Sequence, residues 1–234
     1  MVGSVRRIVH RTLDGTRISL AGALDLGRPY TCVARIAAAG RMHEVHGGAR
    51  GSALAWAADL GVRSFDEEFR VRDGRLRIGR TTVRDSRAGL AEQVLAAVWE
   101  GREHAAFTHL YHARAADAVA LFDLLRPAEH TDGVTLSPAR RAALAEPAAL
   151  VKEVPEVGLL EISPLTERTA RQLPPWPGAR LASGELFRDE VEDQGVYFVL
   201  ATDTALVTVL PPDEEHAAEV PDRLAGLNVE AAPA

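Results

Sequence analysis

Cysteine is nearly missing from this chain of 234 residues. Cys32 stands alone, which excludes an internal disulfide framework and any cysteine-based structural zinc site. Lysine is as scarce: of 27 basic residues, Lys152 is the only one that is not arginine. Beside 40 alanines, that bias reads as the product of a GC-rich coding genome and not as a nucleic-acid-binding surface. Positive charge is not in excess either. The formal net charge is −6 and the pI is near 5.8, so no global basic field exists to hold nucleic acid or an anionic membrane. No apolar run approaches the roughly 20 residues needed to cross a bilayer. Arg6 and Arg7 lead into the alternation Ile8, Val9, His10, Arg11 and not into a signal-peptide core. The expected location is the cytoplasm.

What is present is ordinary globular material, 47% apolar and 26% charged, enough for one large domain or two small ones. The start reads as hairpins: Arg7 to Thr12 with Thr16 to Leu20 around Asp14-Gly15, then Thr31 to Ala37 with Arg41 to His46 around Ala39-Gly40. A short helix follows from Ala53 to Leu60, then a third hairpin, Glu68 to Arg72 with Arg75 to Gly79, turning at Asp73-Gly74. Leu90, Val94 and Val98, with Leu95 and Trp99 beside them, predict a long helix capped by Asp85 or Ser86 and stopped by Gly101. Ala106 to His112 reads as a strand, and Ala115 to Leu125 as a helix closed by Pro127. The stretch 126–136 reads as a loop, and Ser137-Pro138 as the start of a helix to about Ala145.

Strands return with Val157 to Ile162 and Arg180 to Phe187. A short helix from Ser163-Pro164 to Gln172 lies between them. The last strands form a doubly apolar, hence central, hairpin of Tyr197 to Ala201 and Ala205 to Leu210. The expectation is an α+β fold of mostly antiparallel sheet with helices packed on one face, in two related halves. Its expected divisions are an N-terminal half (1–125), a connecting loop and helix (126–150), a β-rich half (151–212) and an acidic Ala/Pro-rich tail (213–234).

Four histidines suggest chemistry. His43 and His46 bracket Glu44, and His109 and His112 lie on the next strand; imidazole and carboxylate suit zinc. On a strand, however, positions 43 and 46 face opposite sides, as do 109 and 112. A metal site requires one histidine of each pair to converge; otherwise the four are solvated or hydrogen-bonded side chains. Gly47, Gly48 and Gly51 precede a helix with Arg50 beside them, an arrangement able to cradle an anion on free amides, though it matches neither a Walker loop nor GxGxxG. Its plainer reading is a strand-to-helix turn. Cys32, mid-strand with no cation adjacent, reads as a buried small hydrophobe. No nucleophile elbow occurs, and no cofactor is expected.

Two further features suggest contact surfaces. Trp176, with Leu173 nearby, lies on the proline-rich Leu173-Pro174-Pro175-Trp176-Pro177-Gly178, which cannot be regular helix or central strand. Such a tryptophan anchors a partner or folds back over its own sheet. Arg70, Arg72, Arg75 and Arg77 line one face of a hairpin.

The segment Arg72-Asp73-Gly74-Arg75-Leu76-Arg77-Ile78, with Thr81 to Ser86 and Leu90-Ala91, resembles the hairpin-then-helix unit of the EspG-type cytosolic chaperones of actinobacterial type VII secretion. The hairpin Tyr197 to Thr202 with Leu206 to Val209 is similar to their C-terminal strands. The N-terminal hairpins and the glycine-rich stretch depart from that family. The resemblance implies a non-enzymatic α+β protein that clasps helical secreted substrates through a sheet surface and an exposed loop. The leading expectation is accordingly a protein-binding adaptor or chaperone with a protein partner, contacting it through Trp176, Leu173, Arg72 and Arg75. The rival is a small enzyme or a small-ligand or anion binder using His43 to Arg50 with His109 or His112.

Overall fold

A computed structural model of the chain describes residues 5–84, 91–171, 173–191 and 195–233. In chain order it begins β1 (Arg6–Arg11), β2 (Arg17–Gly22), β3 (Tyr30–Ala38), β4 (Arg41–Ala49), α1 (Arg50–Asp59), β5 (Glu67–Val71), β6 (Gly74–Arg84), β7 (Ala91–Glu100), β8 (His104–Tyr111) and α2 (Ala115–Leu125). Short strands β9 (Pro127–His130), β10 (Gly133–Leu136) and β11 (Ala142–Leu144) follow. The rest is β12 (Ala149–Val154), β13 (Gly158–Pro164), α3 (Glu167–Ala170), β14 (Ala179–Leu181), β15 (Gly184–Val191), β16 (Gly195–Ala201), β17 (Ala205–Leu210), α4 (Glu214–Leu224) and β18 (Asn228–Ala232). Strand accounts for 53% and helix for 16%, so mostly antiparallel sheet carries the core.

The chain divides into two compact units. One comprises Met1–Thr12, Thr16–Tyr30 and Ala149–Ala234; the other comprises Leu13–Gly15 and Thr31–Ala148. The second orders its strands β3-β4-β8-β7-β6-β5, with β11 added to β3 and β9 paired to β10. The first orders its strands β12-β13-β17-β16-β15-β14 and also contains the run β18-β2-β1. Each sheet is therefore built in the same sequence: two strands, a helix, then four strands folding back to pair beside the second.

The match extends to single hydrogen bonds. Arg50 N–H donates to the Glu103 carbonyl (2.8 Å) where β4 leaves the sheet; Leu165 N–H donates to Thr204 (2.8 Å) where β13 does. Gly101 N–H to His104 and Thr202 N–H to Ala205 close the corresponding hairpin turns. The apolar clusters correspond as well. Val98, Ala105 and Phe107 pack with Ala53, Trp56 and Phe65, while Val199, Leu206 and Phe187 pack with Leu165 and Leu173. No residue-level repeat is visible because the two cores use different side chains on the same frame.

The largest correction is the helix expected before Gly101. Residues Ala91–Glu100 form β7, paired with β6 from Arg84↔Ala91 to Arg75↔Glu100 and with β8 on its other side; Asp85, Ser86 and Leu90 lie outside the described residues. Positions four apart share a face in a strand as well as in a helix. The deciding feature is that Val94 to Glu100 are all buried, as both faces of an interior strand require. Trp99 fills one face, and its indole N–H donates to the Val71 carbonyl (2.9 Å). The third hairpin turns at Arg72-Asp73, with Arg72 at φ 57°, and not at Asp73-Gly74. Gly74 is glycine because a Cβ there would strike Trp99 and the Glu100 carbonyl.

Other expectations fall for tertiary reasons. Residues 126–136 are a β9–β10 hairpin and not a loop. Ser137-Pro138 starts no helix: the amides of Ser137 and Ala139 donate to the Leu125 and Leu124 carbonyls (2.9 and 2.8 Å), closing the end of α2. Residues 142–144 then pair with the edge of β3. The tail is ordered too. Asp213 caps α4 by accepting from His216 N–H (2.9 Å), Val220, Leu224 and Leu227 are buried, and β18 pairs with β2. Strand β12, whose alternation spans only six residues, went unanticipated. Its buried Lys152 donates Nζ to the Arg28 carbonyl. Burial lowers the Lys152 pKa, opposed by Asp25.

Candidate functional site

The sequence of β4 runs directly into α1 without a turn, so the glycines of the glycine-rich stretch have strand duties. Gly47 pairs with Cys32 and Ala106, and Gly48 with Thr31 and Ala105. Their amides lie within those ladders and not in an open cradle. Gly47 is small because a Cβ would meet Leu13 Cδ2 at 2.7 Å. Arg50 and Gly51 open α1, which has no side-chain cap. Cys32 is buried beneath this sheet, and burial pushes its thiol pKa up, which keeps it an unreactive hydrophobe.

Strands β4 and β8 pair only from Ala49↔His104 to His46↔Phe107. Beyond that point each keeps its outer neighbour, β4 to β3 as far as Arg41 and β8 to β7 as far as Tyr111. Between them opens a cleft of about 710 Å³, lined by residues 41–44 and 109–113 and floored by Asp117, Ala120, Leu121 and Leu124 of α2. The Thr108 hydroxyl pins its inner end by donating to the Glu44 carbonyl (2.6 Å).

The structure thus places His43, His109 and His112 along one cleft; His46 is outside that lining, yet its ring shares Trp56 with His109, at 6.2 and 6.4 Å between centroids. The His46 ring stacks on Phe107 (5.4 Å between centroids, 16° between planes), which also packs against Trp56 (4.9 Å). Its Nε2 meets Glu44 Oε1 at 3.1 Å. Burial lowers the pKa of His46; Glu44 opposes the shift and His109 adds to it. Burial likewise lowers the pKa of His43, against a hydrogen bond to the Ala38 carbonyl. In both, burial favours the neutral ring. Among the described residues, no group of three His, Cys, Asp or Glu side chains is placed to hold a metal ion.

Of the expected protein contacts, Leu173 is packed into the Phe187 cluster whereas Trp176 is 45% exposed. The arginines are engaged within their own unit. Arg75 (3.5 Å) and Arg77 (3.1 Å) both reach Glu100, which is only 3% exposed; Arg75 also meets Glu68 (3.7 Å), and Arg72 meets Asp123 (3.5 Å). Arg75 and Arg77 compensate the buried Glu100 carboxylate, which would otherwise be costly to desolvate. Reading the sequence missed Met42, Tyr111 and the α2 floor, because nothing local marks where two non-adjacent strands part.

No family model, curated protein or solved structure matches this chain.

Proposed function

We propose that this protein is a non-enzymatic protein-binding module, an adaptor or chaperone-like scaffold of the kind that the resemblance to EspG-type cytosolic chaperones implies. The observation that carries the reading is the split between Leu173 and Trp176. The first is anchored in an apolar cluster, and the second is held out at 45% exposure on a loop of three prolines. A large aromatic on a backbone with little freedom to lose is a low-entropy contact. In this reading α1 and α3, with their flanking loops, cover the same face of each repeat, and the Trp176 loop is the part of that cover turned outward. The partner is a protein, the setting is the cytoplasm, and neither nucleic acid nor membrane is engaged. Among the described residues, no helix is long and apolar enough to cross a membrane. Affinity capture from an actinobacterial lysate tests the reading: Trp176→Ala should lose the partner recovered by the native chain, and equal recovery by both removes Trp176 from the account.

A second reading, a small-ligand binder or small enzyme, is favoured by the cleft that His43, His109 and His112 share. Stoichiometric zinc in protein purified without a histidine tag, lost in His43→Ala, would raise it above the first.

A further inference from the structure

In an antiparallel ladder, alternate residues turn their backbone N–H and C=O toward a given neighbour. The Arg50–Glu103 bond sets that phase between β4 and β8. The pairs 48/105 and 46/107 are bonded, and the next in line are Glu44 with His109 and Met42 with Tyr111. On its other side β8 has the opposite phase, fixed by His112 N–H donating to Gln93 (3.0 Å), so His109 and Tyr111 have no backbone duty toward β7. The backbone groups of Met42, Glu44, His109 and Tyr111 therefore point into the cleft, with no strand paired opposite them among the described residues. The Thr108 hydroxyl lies against two of them, the Glu44 carbonyl at 2.6 Å and, more distantly, the His109 carbonyl at 3.4 Å. Two apolar side chains stand beside these open edges, Met42 at 58% and Tyr111 at 48% exposure, and Ala120, Leu121 and Leu124 lie beneath.

We infer that the cleft receives an extended segment of a partner polypeptide, added as a strand along the β8 edge at His109 and Tyr111 with Met42 on its other side. A row of backbone donors and acceptors at strand spacing is complementary to another extended backbone. Alternate side chains of that segment are then directed to the α2 floor and to the Met42–Tyr111 rim, so the fitting sequence is apolar at alternate positions. The inference deepens the protein-binding reading but uses a different surface from Trp176, so the two fail separately.

The test uses the intact protein and linear phage-displayed peptides of about twelve residues. The tightest binder is then synthesised unmodified and with one or the other alternate set of amides N-methylated. The expected result is that one methylated set binds roughly tenfold or more weakly and the other does not. Amide NMR shifts gather at residues 41–44 and 109–112, and the double variant Met42→Ala/Tyr111→Ala weakens binding while Val9→Ala, at an exposed apolar position on β1, leaves it unchanged. Recovery of no binding peptide, indifference to both methylation patterns, or shifts located elsewhere overturns the inference. So does a set of small polar molecules that shifts these amides where no peptide does, which assigns the cleft to the second reading. If Trp176→Ala loses its lysate partner while the peptides fail, the Trp176 reading stands and this one falls.

Discussion

The two repeats part company at one junction. In the first unit β13 and β17 zip from Pro164↔Ala205 down to Leu159↔Leu210. In the second the equivalent strands β4 and β8 stop two pairs earlier, at His46↔Phe107, although both run on. Gly158 ends the closed junction at φ 121°, letting the backbone of Leu210 come close, whereas β4 at that place carries His43 and Glu44. The difference teaches that one frame serves as a closed core or as a cleft depending on a few residues at one strand end. The helical covers differ in the same sense: α1 has ten residues and α3 four, and the proline loop follows the shorter helix.

The comparison can be broken most violently at β7. Trp99→Ala removes a fully buried side chain and its hydrogen bond to Val71, and should cost about 3–5 kcal/mol in urea unfolding. Gly158→Ala should force the closed junction apart, since its new methyl meets the Leu210 carbonyl at a positive φ. A loss of about 2 kcal/mol or more is expected, with faster amide exchange at Leu159 and Leu210. Thr108→Val removes the hydroxyl that pins the open junction at the Glu44 carbonyl. It should cost about 1 kcal/mol and leave the first unit unchanged, as read by thermal melting and by exchange in each unit.

The smallest effect is in pH. His43 and His46 have folded pKa values below the ordinary 6.5, so on acidification the unfolded chain binds protons that the folded chain does not. Stability should fall as pH drops through 6.5 toward those lowered values, and His43→Asn should flatten that slope. His216 has the opposite sign. Its hydrogen bond to Asp213 raises its pKa, so its contribution to the α4 cap is complete below 6.5 and disappears as pH rises through the raised value. Asp213, held down by the His216 N–H and ring, contributes stability that is present above its ordinary value and lost as pH falls through its lowered one. Melting curves across pH 4–8, with His216→Ala as reference, check both signs.

The hairpins were legible because local chemistry writes them. Gly15 at φ 91° and Gly40 at φ 75° are turns that few other residues accept. The last hairpin was legible as interior because both its faces are apolar, and β16 and β17 indeed have strands on either side. β7 was not legible as a strand because the four-residue spacing of its valines does not distinguish the two periods. β11 and β18 were not legible because short segments take their form from the edge they join. The candidate site was half legible. His43, His109 and His112 could be named from residue type, but their convergence depends on where β4 and β8 separate, a property of non-local pairing. Gly47 misled for a related reason, its smallness answering Leu13 and not a ligand.

Site-resolved hydrogen exchange of the native chain tests the open junction most directly. Phase and register make Glu44 and His109 the counterparts of Leu159 and Leu210. The account expects the amides of Glu44 and His109 to exchange at least about tenfold faster than those of Leu159 and Leu210. Equal protection of the two pairs would mean that β4 and β8 are zipped, and would contradict it.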